Sequence, residues 1–320
     1  MKLTIGEIAR QAGVSTGTVS RVINGKTTVA RQTRENVLAV MKRLGYEPDP
    51  VARELSMRTK FTLGIWVGSG ANRLSPYFNQ VWRALLREIQ GRATQFIEMP
   101  VDILPLRRRV DAVLMFHCDA IDERLETLAK LGIPAVLIGH HPGVSGVTPD
   151  DEGGGRMAGQ RLLALGHRRL LHLSVAGSFQ WALDRASGFK AAIEESGLPG
   201  LDQVTLLGEG TVLGGYRLMR DALKSGPHPT GIFCATDEMA VGALGALADF
   251  GIAVPQNASV IGFDGLVELH PGLASIAQDI PVIAHQAVSL ALAGIGRKGV
   301  RQIIVPVALI EGCTLGPAPQ

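Results

Sequence analysis

Apolar residues recur along this chain in two different rhythms. Near its start Ile5, Ile8, Ala9 and Ala12 fall at i, i+3, i+4 and i+7, which predicts one face of a helix over about 5–11. Thr4 followed three residues later by Glu7 forms a capping box at its start. Gly13 supplies a turn where positive φ costs little, and Ser15 can cap a second helix over 16–23. Val19, Val22 and Ile23 face the first helix, which leaves Thr16, Gly17, Ser20 and Arg21 on the outside. A third helix over about 33–44 is predicted from Val37, Leu38, Met41 and Leu44, with Gly45 as its stop. Pro48 and Pro50 then break the pattern, and the following VARELS (51–56) is helix-capable but too short to hold alone.

Beyond residue 60 the rhythm changes to short continuous apolar runs alternating with helical patterns. The runs are FTLGIWV, VDAVLMF, AVLIG, RLLHLS, GIFCA and SVIGF; the helical stretches include VWRALLREI, RLETLAKLG, GRMAGQRLLALG, GFKAAIEESG and MAVGALGALADFG. Unbroken Val/Ile/Leu runs bounded by Gly or Asp predict parallel strands covered by helices on both faces, and there is chain enough for two such sheets. Ligands of such sheets bind beyond the carboxyl ends of the strands, so candidate site residues follow the apolar runs. Gly68-Ser69-Gly70 is too sparse for a dinucleotide fingerprint, and no Gly-Lys-Ser/Thr phosphate loop is present.

Composition sharpens this division. The 320 residues are 46% hydrophobic and carry a net charge of +3, but residues 1–60 hold +6 and the remainder −3. A basic segment confined to a small helical unit is the electrostatic footprint of phosphate contact. Small residues followed by a guanidinium on the outer face of the second helix suit a helix laid in a major groove. Two other readings of the same letters are a plain two-helix packing unit and a serine nucleophile elbow, since Gly13-Val14-Ser15-Thr16-Gly17 fits Gly-x-Ser-x-Gly. The second needs a strand before the serine, where a helix is predicted, so no enzyme is expected. Cys118, Cys234 and Cys313 lack metal or disulfide spacing and are expected to be buried thiols; His117 and His140-His141 read as loop histidines rather than ligands. No 18-residue apolar run and no signal-type segment appear, which predicts a cytoplasmic protein without membrane contact.

TIGEIARQAGVSTGTVSRVINGK, then TREN, then LGYEPDPVARELSMRTKFTLGI resembles the headpiece and hinge of the LacI/GalR family of bacterial transcriptional repressors. The resemblance implies a homodimer on palindromic operator DNA, contacted by Thr4, Ser15, Thr16, Gly17, Ser20, Arg21, Asn24, Tyr46, Ala52 and Leu55. Leu55 would be an apolar lever opening a base step in the minor groove. Further landmarks are Ser75-Pro76-Tyr77-Phe78, Asp150 with Gly154-Gly155, Leu165-Gly166-His167-Arg168, Asp184-Arg185, Ala235-Thr236-Asp237-Glu238-Met239-Ala240 and Ile261-Gly262-Phe263-Asp264. They are similar to the family's effector core, which is related in fold to periplasmic sugar-binding proteins.

The fold so implied is a small all-α helix-turn-helix headpiece (1–47), a hinge (48–60) and an α/β core of two parallel-sheet subdomains (61–320). The first subdomain would take about 61–149 plus 281–306, and the second about 150–280 plus 307–320. The implied effector-binding residues are Tyr77, Phe78, Asp150, Trp181, Arg185, Thr236 and Asp264, with a sugar as effector and no cofactor or metal. Ordinary readings stand beside these: Arg185 pairing with Asp184 at the surface, Asp237 capping a helix, and Asp150 and Asp151 as loop residues. Ala30 stands where the family has a capping serine, Asp49 where it often has asparagine, and Thr236 where an asparagine contacts sugar. Gly210 stands near where some members place an aromatic that stacks on ligand, a loss Trp181 would offset. The segment between Ile89 and Val110 is short for the family, and Glu311-Gly312-Cys313-Thr314 departs from its Arg-x-Ser-Thr. No leucine heptad closes the chain, which favours a dimer over a tetramer.

Two other functions fit the pattern: a regulator answering to a purine or nucleoside co-repressor, and a small-molecule binding protein whose basic head only mediates assembly. Leu55→Ala separates operator reading from simple charge attraction. It is expected to weaken specific operator binding far more than non-specific binding in an anisotropy titration, and equal losses on both DNAs would remove the lever role.

Overall fold

The computed structural model describes residues 4–23, 29–46, 61–68, 74–99, 110–116, 122–177, 179–296 and 299–319. The head is three helices, α1 (Ile5–Ala12), α2 (Thr16–Ile23) and α3 (Arg31–Leu44). Their buried face joins Ile8, Ala9, Ala12, Val19, Val22, Val37, Val40 and Met41. Val40, which the sequence reading passed over, is buried, whereas Leu38 is 48% exposed. Helix α3 starts two residues earlier than predicted, and the register of its inward face follows Val37, Val40, Met41 and Leu44. Gly13 and Gly45 end α1 and α3 at φ 67° and 64°, the left-handed conformation that only glycine adopts cheaply.

The core runs β1 (Phe61–Val67), α4 (Pro76–Ile89), β2 (Thr94–Glu98), β3 (Ala112–Phe116), α5 (Glu123–Leu131), β4 (Ala135–Ile138), β5 (Ser145–Pro149), α6 (Asp151–Ala164) and β6 (Arg169–Val175). It continues through α7 (Gln180–Ser196), β7 (Asp202–Gly208), α8 (Val212–Ser225), β8 (Gly231–Cys234), α9 (Asp237–Asp249), β9 (Ser259–Asp264) and β10 (Ala274–Gln278). The last elements are α10 (Ile280–Gly294), β11 (Gln302–Val305) and β12 (Val307–Ile310).

Two six-stranded sheets result, ordered β11-β5-β4-β3-β1-β2 and β12-β10-β9-β8-β6-β7. All described pairings are parallel except β12 with β10. The chain passes between the sheets three times, through α6, through α10 and at Pro306. In both sheets the order reverses beside the first strand, β1 or β6, so each has a switch point where the flanking loops splay apart and leave a crevice.

Four apolar layers cover the sheet faces. Helix α10 is apolar almost all round and buries Ile280, Ile283, Ala284, Ala287, Val288, Leu290, Ala291 and Leu292 against the first sheet. Helices α6 with α7, and α8 with α9, approach so closely that no side chain fits between them. A Cβ on Gly188 would lie 1.9 Å from the Glu152 carbonyl oxygen, one on Gly155 2.0 Å from that of Arg185, and one on Gly242 1.9 Å from that of Val212.

One buried group is out of keeping with its layer. His172 on β6 is 1% exposed and lies stacked on Phe233 at 4.9 Å and tilted against Phe189 at 5.5 Å. Neither ring nitrogen has a hydrogen-bond partner. Burial, and secondarily the Arg185 charge, depress its pKa to about 3. Among the described residues no helix is long and apolar enough to cross a membrane. Of the cysteines, Cys234 is buried as expected, whereas Cys313 is exposed.

Two predictions follow from this packing. In the unfolded chain His172 takes up a proton below about pH 6.5, while in the folded chain it stays neutral to about pH 3. The unfolded state therefore gains protons as pH falls, and roughly 2 kcal/mol of stability is lost from pH 7 to 5 on this account. His172→Leu should escape that increment when urea unfolding is followed by tryptophan fluorescence at both pH values; equal acid losses in the two proteins would contradict it.

Gly188→Ala should cost roughly 3 kcal/mol, because the collision is with backbone and outweighs the helix-propensity gain of up to about 1 kcal/mol. Gly245→Ala, whose Cβ meets only a Tyr216 ring atom at 3.7 Å, serves as the control and should be neutral or stabilising. Similar melting temperatures for the two variants would refute the helix-contact argument.

Candidate functional site

The crevice between the sheets holds a cavity of about 280 Å³. Its lining comes from residues at or just beyond the carboxyl ends of β1, β3, β4, β5, β6, β7, β8 and β9, where strand topology predicts a ligand. From the first subdomain come Tyr77 and Phe78 of α4, Phe116, Ile138 and His140; from the second come Phe179, Trp181, Arg185, Thr211, Thr236, Glu238 and Asp264.

Arg185 is the hub. The Gly155 and Gly188 contacts bring α7 against α6, so that the Arg185 Nε donates to Asp151 Oδ1 at 2.8 Å. Its Nη1 donates to the Ala235 carbonyl at 2.5 Å and lies 3.5 Å from Asp264 Oδ1. The guanidinium carbon packs on the rings of Phe263 and Trp181, 3.5 and 4.7 Å from their centroids. At 4% exposure it is a buried ion cluster, not the surface pair with Asp184 that the sequence also allowed. Asp184 instead accepts from Gln180 Nε2 at 2.7 Å. Burial raises the pKa of both Asp151 and Asp264, against the opposing pull of Arg185.

Asp264 sits at φ 122°, a strained conformation for a side-chain-bearing residue. The following turn is held by Asp237, fully buried, whose Oδ2 accepts from Leu266 N at 2.6 Å and whose Oδ1 accepts from Ser275 Oγ at 2.7 Å. Burial raises the Asp237 pKa to about 6. Asp237 is thus neither a helix cap nor part of the lining; Thr236 is the cap of α9. A polar chain also crosses the crevice: Tyr77 Oη donates to Gln278 Oε1 at 3.1 Å, and Gln278 Nε2 to Asp264 Oδ1 at 2.8 Å. Burial raises the Tyr77 pKa, which keeps its hydroxyl protonated as a donor.

Of the effector residues expected from sequence, Tyr77, Phe78, Trp181, Arg185, Thr236 and Asp264 line the cavity. Asp150 does not. Its Oδ1 accepts from Gly153 N at 2.9 Å as the N-cap of α6, and the neighbouring Asp151, 4% exposed, enters the lining in its place. The two aspartates are adjacent in sequence, and only the helix start decides which one turns inward. Gly210 and Trp181 both line the cavity, and a Cβ on Gly210 would meet Val175 Cγ2 at 3.1 Å. Thr148, Thr211 and Gln180 were not singled out by sequence, and Glu238 was named only within the Ala235–Ala240 landmark and not as an effector residue.

In the headpiece Thr4 Oγ1 accepts from Glu7 N at 3.4 Å, but the Glu7 carboxylate turns to Arg10 and Gln11, so only half of the capping box forms. Ser15 caps α2 by accepting from Thr18 N at 3.1 Å. Thr16, Gly17 and Arg21 are exposed on one face, with Ser20 half-buried beside them. Tyr46 packs on the headpiece core. Ala30 makes no side-chain cap, as its missing hydroxyl dictates. Asn24, Asp49, Ala52 and Leu55 lie outside the described residues, as do the 51–56 segment, His117 and Cys118.

Residues 4–49 match the bacterial regulatory proteins of the lacI family, and residues 159–315 match the periplasmic binding protein-like domain. The chain is 34% identical to the HTH-type transcriptional regulator GalR of Escherichia coli (strain K12), over 91% of this chain and 88% of the relative. It is 31% identical to catabolite control protein A of Priestia megaterium, over 95% of this chain and 96% of that one. Its fold superposes on the transcriptional regulator CelR in a cellobiose complex with a TM-score of 0.71 at 26% identity, covering 98% of this chain and 100% of the other. A helix-turn-helix head and an effector crevice between two parallel sheets, with relatives matched over nearly its whole length, make this chain a DNA-binding transcriptional regulator of the LacI/GalR family.

Proposed function

We propose that the protein is a homodimeric repressor that reads a pseudo-palindromic operator and is controlled by a small sugar in the crevice. The observation that carries this reading is the Arg185–Asp151–Asp264 cluster opening into a cavity walled by Tyr77, Phe78, Phe116 and Trp181. Aromatic rings cover the C–H face of a pyranose, while carboxylate and guanidinium groups meet its vicinal hydroxyls in fork-like pairs. The Arg185 Nη2 and the Thr236 and Glu238 side chains are the groups offered to ligand hydroxyls. The cellobiose bound to CelR, a similar fold, supports the same choice of ligand.

On the DNA side, Thr16, Gly17 and Arg21 present small side chains and one guanidinium to a major groove. One headpiece makes too few contacts to be specific, so two are joined by a twofold axis. The bound sugar acts only through its different affinity for the DNA-binding and released states. Walls drawn from both subdomains give it that leverage, because a change in their relative angle alters its contacts on each side.

The first experiment is a thermal-shift screen of cellobiose, D-glucose, D-galactose, D-ribose, hypoxanthine and guanine, followed by operator anisotropy with each ligand that shifts melting. A purine response without a sugar response would replace the sugar reading, and no saturable, salt-sensitive operator site in genomic fragments would sink the repressor reading. Arg185→Ala orphans two buried carboxylates and should destabilise the core by roughly 3–5 kcal/mol. Arg185→Lys keeps the charge and removes the planar fork. It is expected to bind operator like the parent and to lose the effector response, and retained response in this variant would take Arg185 out of the ligand site.

A further inference from the structure

The ionisable side chains among the described lining residues are unevenly matched. Asp151, Glu238 and Asp264 are acidic and Arg185 is basic, with Tyr77 protonated and His140 at the exposed rim. Two of the three Arg185 nitrogens are already committed: Nε holds Asp151 and Nη1 holds the Ala235 carbonyl and Asp264, with the Phe263 and Trp181 rings packed on the guanidinium. It cannot swing toward a ligand anion without leaving two buried carboxylates unpaired. Glu238, half-buried in the first turn of α9, has no hydrogen-bond or ion-pair partner among the described residues. The charge presented by these side chains therefore stays negative even if Asp264 holds a proton.

A second, separate observation concerns the backbone. Phosphate is commonly taken by free N–H groups at helix N-termini. Five helices begin at this cavity, and three are closed by their own hydroxyl: Ser75 Oγ accepts from Phe78 N at 3.1 Å, Thr211 Oγ1 from Gly214 N at 3.0 Å and Thr236 Oγ1 from Met239 N at 3.2 Å, while α7 starts at Phe179 without a side-chain cap. A fourth, α6, is closed by the Asp150 carboxylate and carries Asp151 and Glu152 in its first turn. Four of the five helix starts at the cavity are thus filled by the protein's own side chains.

We infer that the crevice takes an unphosphorylated polyhydroxylated ligand and rejects the phosphate ester of the same sugar, with the unpaired Glu238 carboxylate as the specificity-determining group. The inference rests on the reading of the crevice as a sugar site. A hydroxyl can donate to Glu238, whereas a phosphate monoester brings about −1.5 to −2 charges against it in a partly desolvated cavity.

The test is calorimetric titration of the full chain with D-glucose, D-galactose and D-ribose beside glucose 6-phosphate, galactose 6-phosphate and ribose 5-phosphate at fixed ionic strength. A free sugar that binds should do so at least about tenfold more tightly than its ester. Glu238→Gln should narrow that ratio severalfold, while Glu238→Asp, which keeps the charge, should preserve it; melting temperatures of both variants verify the fold. An ester binding as tightly as its free sugar overturns the exclusion while leaving the sugar reading intact. Unchanged discrimination in Glu238→Gln overturns the assignment to Glu238. No binding by any of the six compounds overturns the sugar reading and this inference with it.

Discussion

The buried guanidinium of Arg185 is the constraint around which the second subdomain is arranged. A cation at 4% exposure persists only when paired and hydrogen-bonded, and breaking such a pair costs several kcal/mol. Each neighbouring oddity answers that demand. Gly155 and Gly188 lack side chains so that α7 can lie on α6 and bring Arg185 to Asp151. Asp264 accepts an unusual backbone conformation at the end of β9, and Asp237 fastens the turn that follows. Phe263 and Trp181 pack on the guanidinium, which limits where its remaining donors face. A rigid fork is the result, and rigidity is what lets a ligand be discriminated by hydrogen-bond geometry.

This fork is also tied to the opposite wall. Gln278 receives the Tyr77 hydroxyl from the first subdomain and donates to Asp264 in the second, so one amide spans the crevice. The crossing through α10 begins two residues after Gln278, so the polar chain lies beside one of the three connections between the sheets. A ligand competing for the Tyr77 or Asp264 groups acts directly on that polar chain. Sub-ångström changes at a site become large when packed layers have only a few stable arrangements.

Much of the fold was legible because central parallel strands are buried on both faces and cannot alternate. FTLGIWV became β1 to the residue, and GIFCA and SVIGF gave β8 and β9 within a residue or two. Four of the strands that escaped notice, β2, β7, β11 and β12, are edge strands, and β7, DQVTLLG, is largely exposed; the inner strands β5, SGVTP, and β10, ASIAQ, escaped because they lack an unbroken Val/Ile/Leu run. Helix α10 escaped for the opposite reason, since an element apolar all round shows no helical contrast. At the site, charged residues after apolar runs pointed to the right region, but periodicity cannot tell Asp150 from Asp151. That choice depends on where α6 begins, a boundary set by which carboxylate caps Gly153. Glu238 stood in a landmark motif but was not assigned to the ligand, because an acid in the first turn of a helix already has an ordinary explanation in the helix dipole.

The division of charge connects the two ends of the molecule. The first 60 residues carry +6 and the rest −3, and the negative excess includes the acids of the crevice. A regulator that must attract a polyanion with one domain and sense a small molecule with another faces competition from every cellular phosphate. At physiological salt the Debye length is about 8 Å, so charges act over short range and each site must set its own selectivity. On α2, Thr16 and Gly17 offer little for base hydrogen bonds, so the operator reading proposed above leaves much of the discrimination to Arg21, phosphate contacts and DNA deformation. The crevice has the reverse task, which its acidic lining and the unpaired Glu238 meet locally, with four of its five helix starts capped by side chains. Segregating the charges along the chain lets one protein welcome phosphate at its head while its crevice remains inhospitable to it.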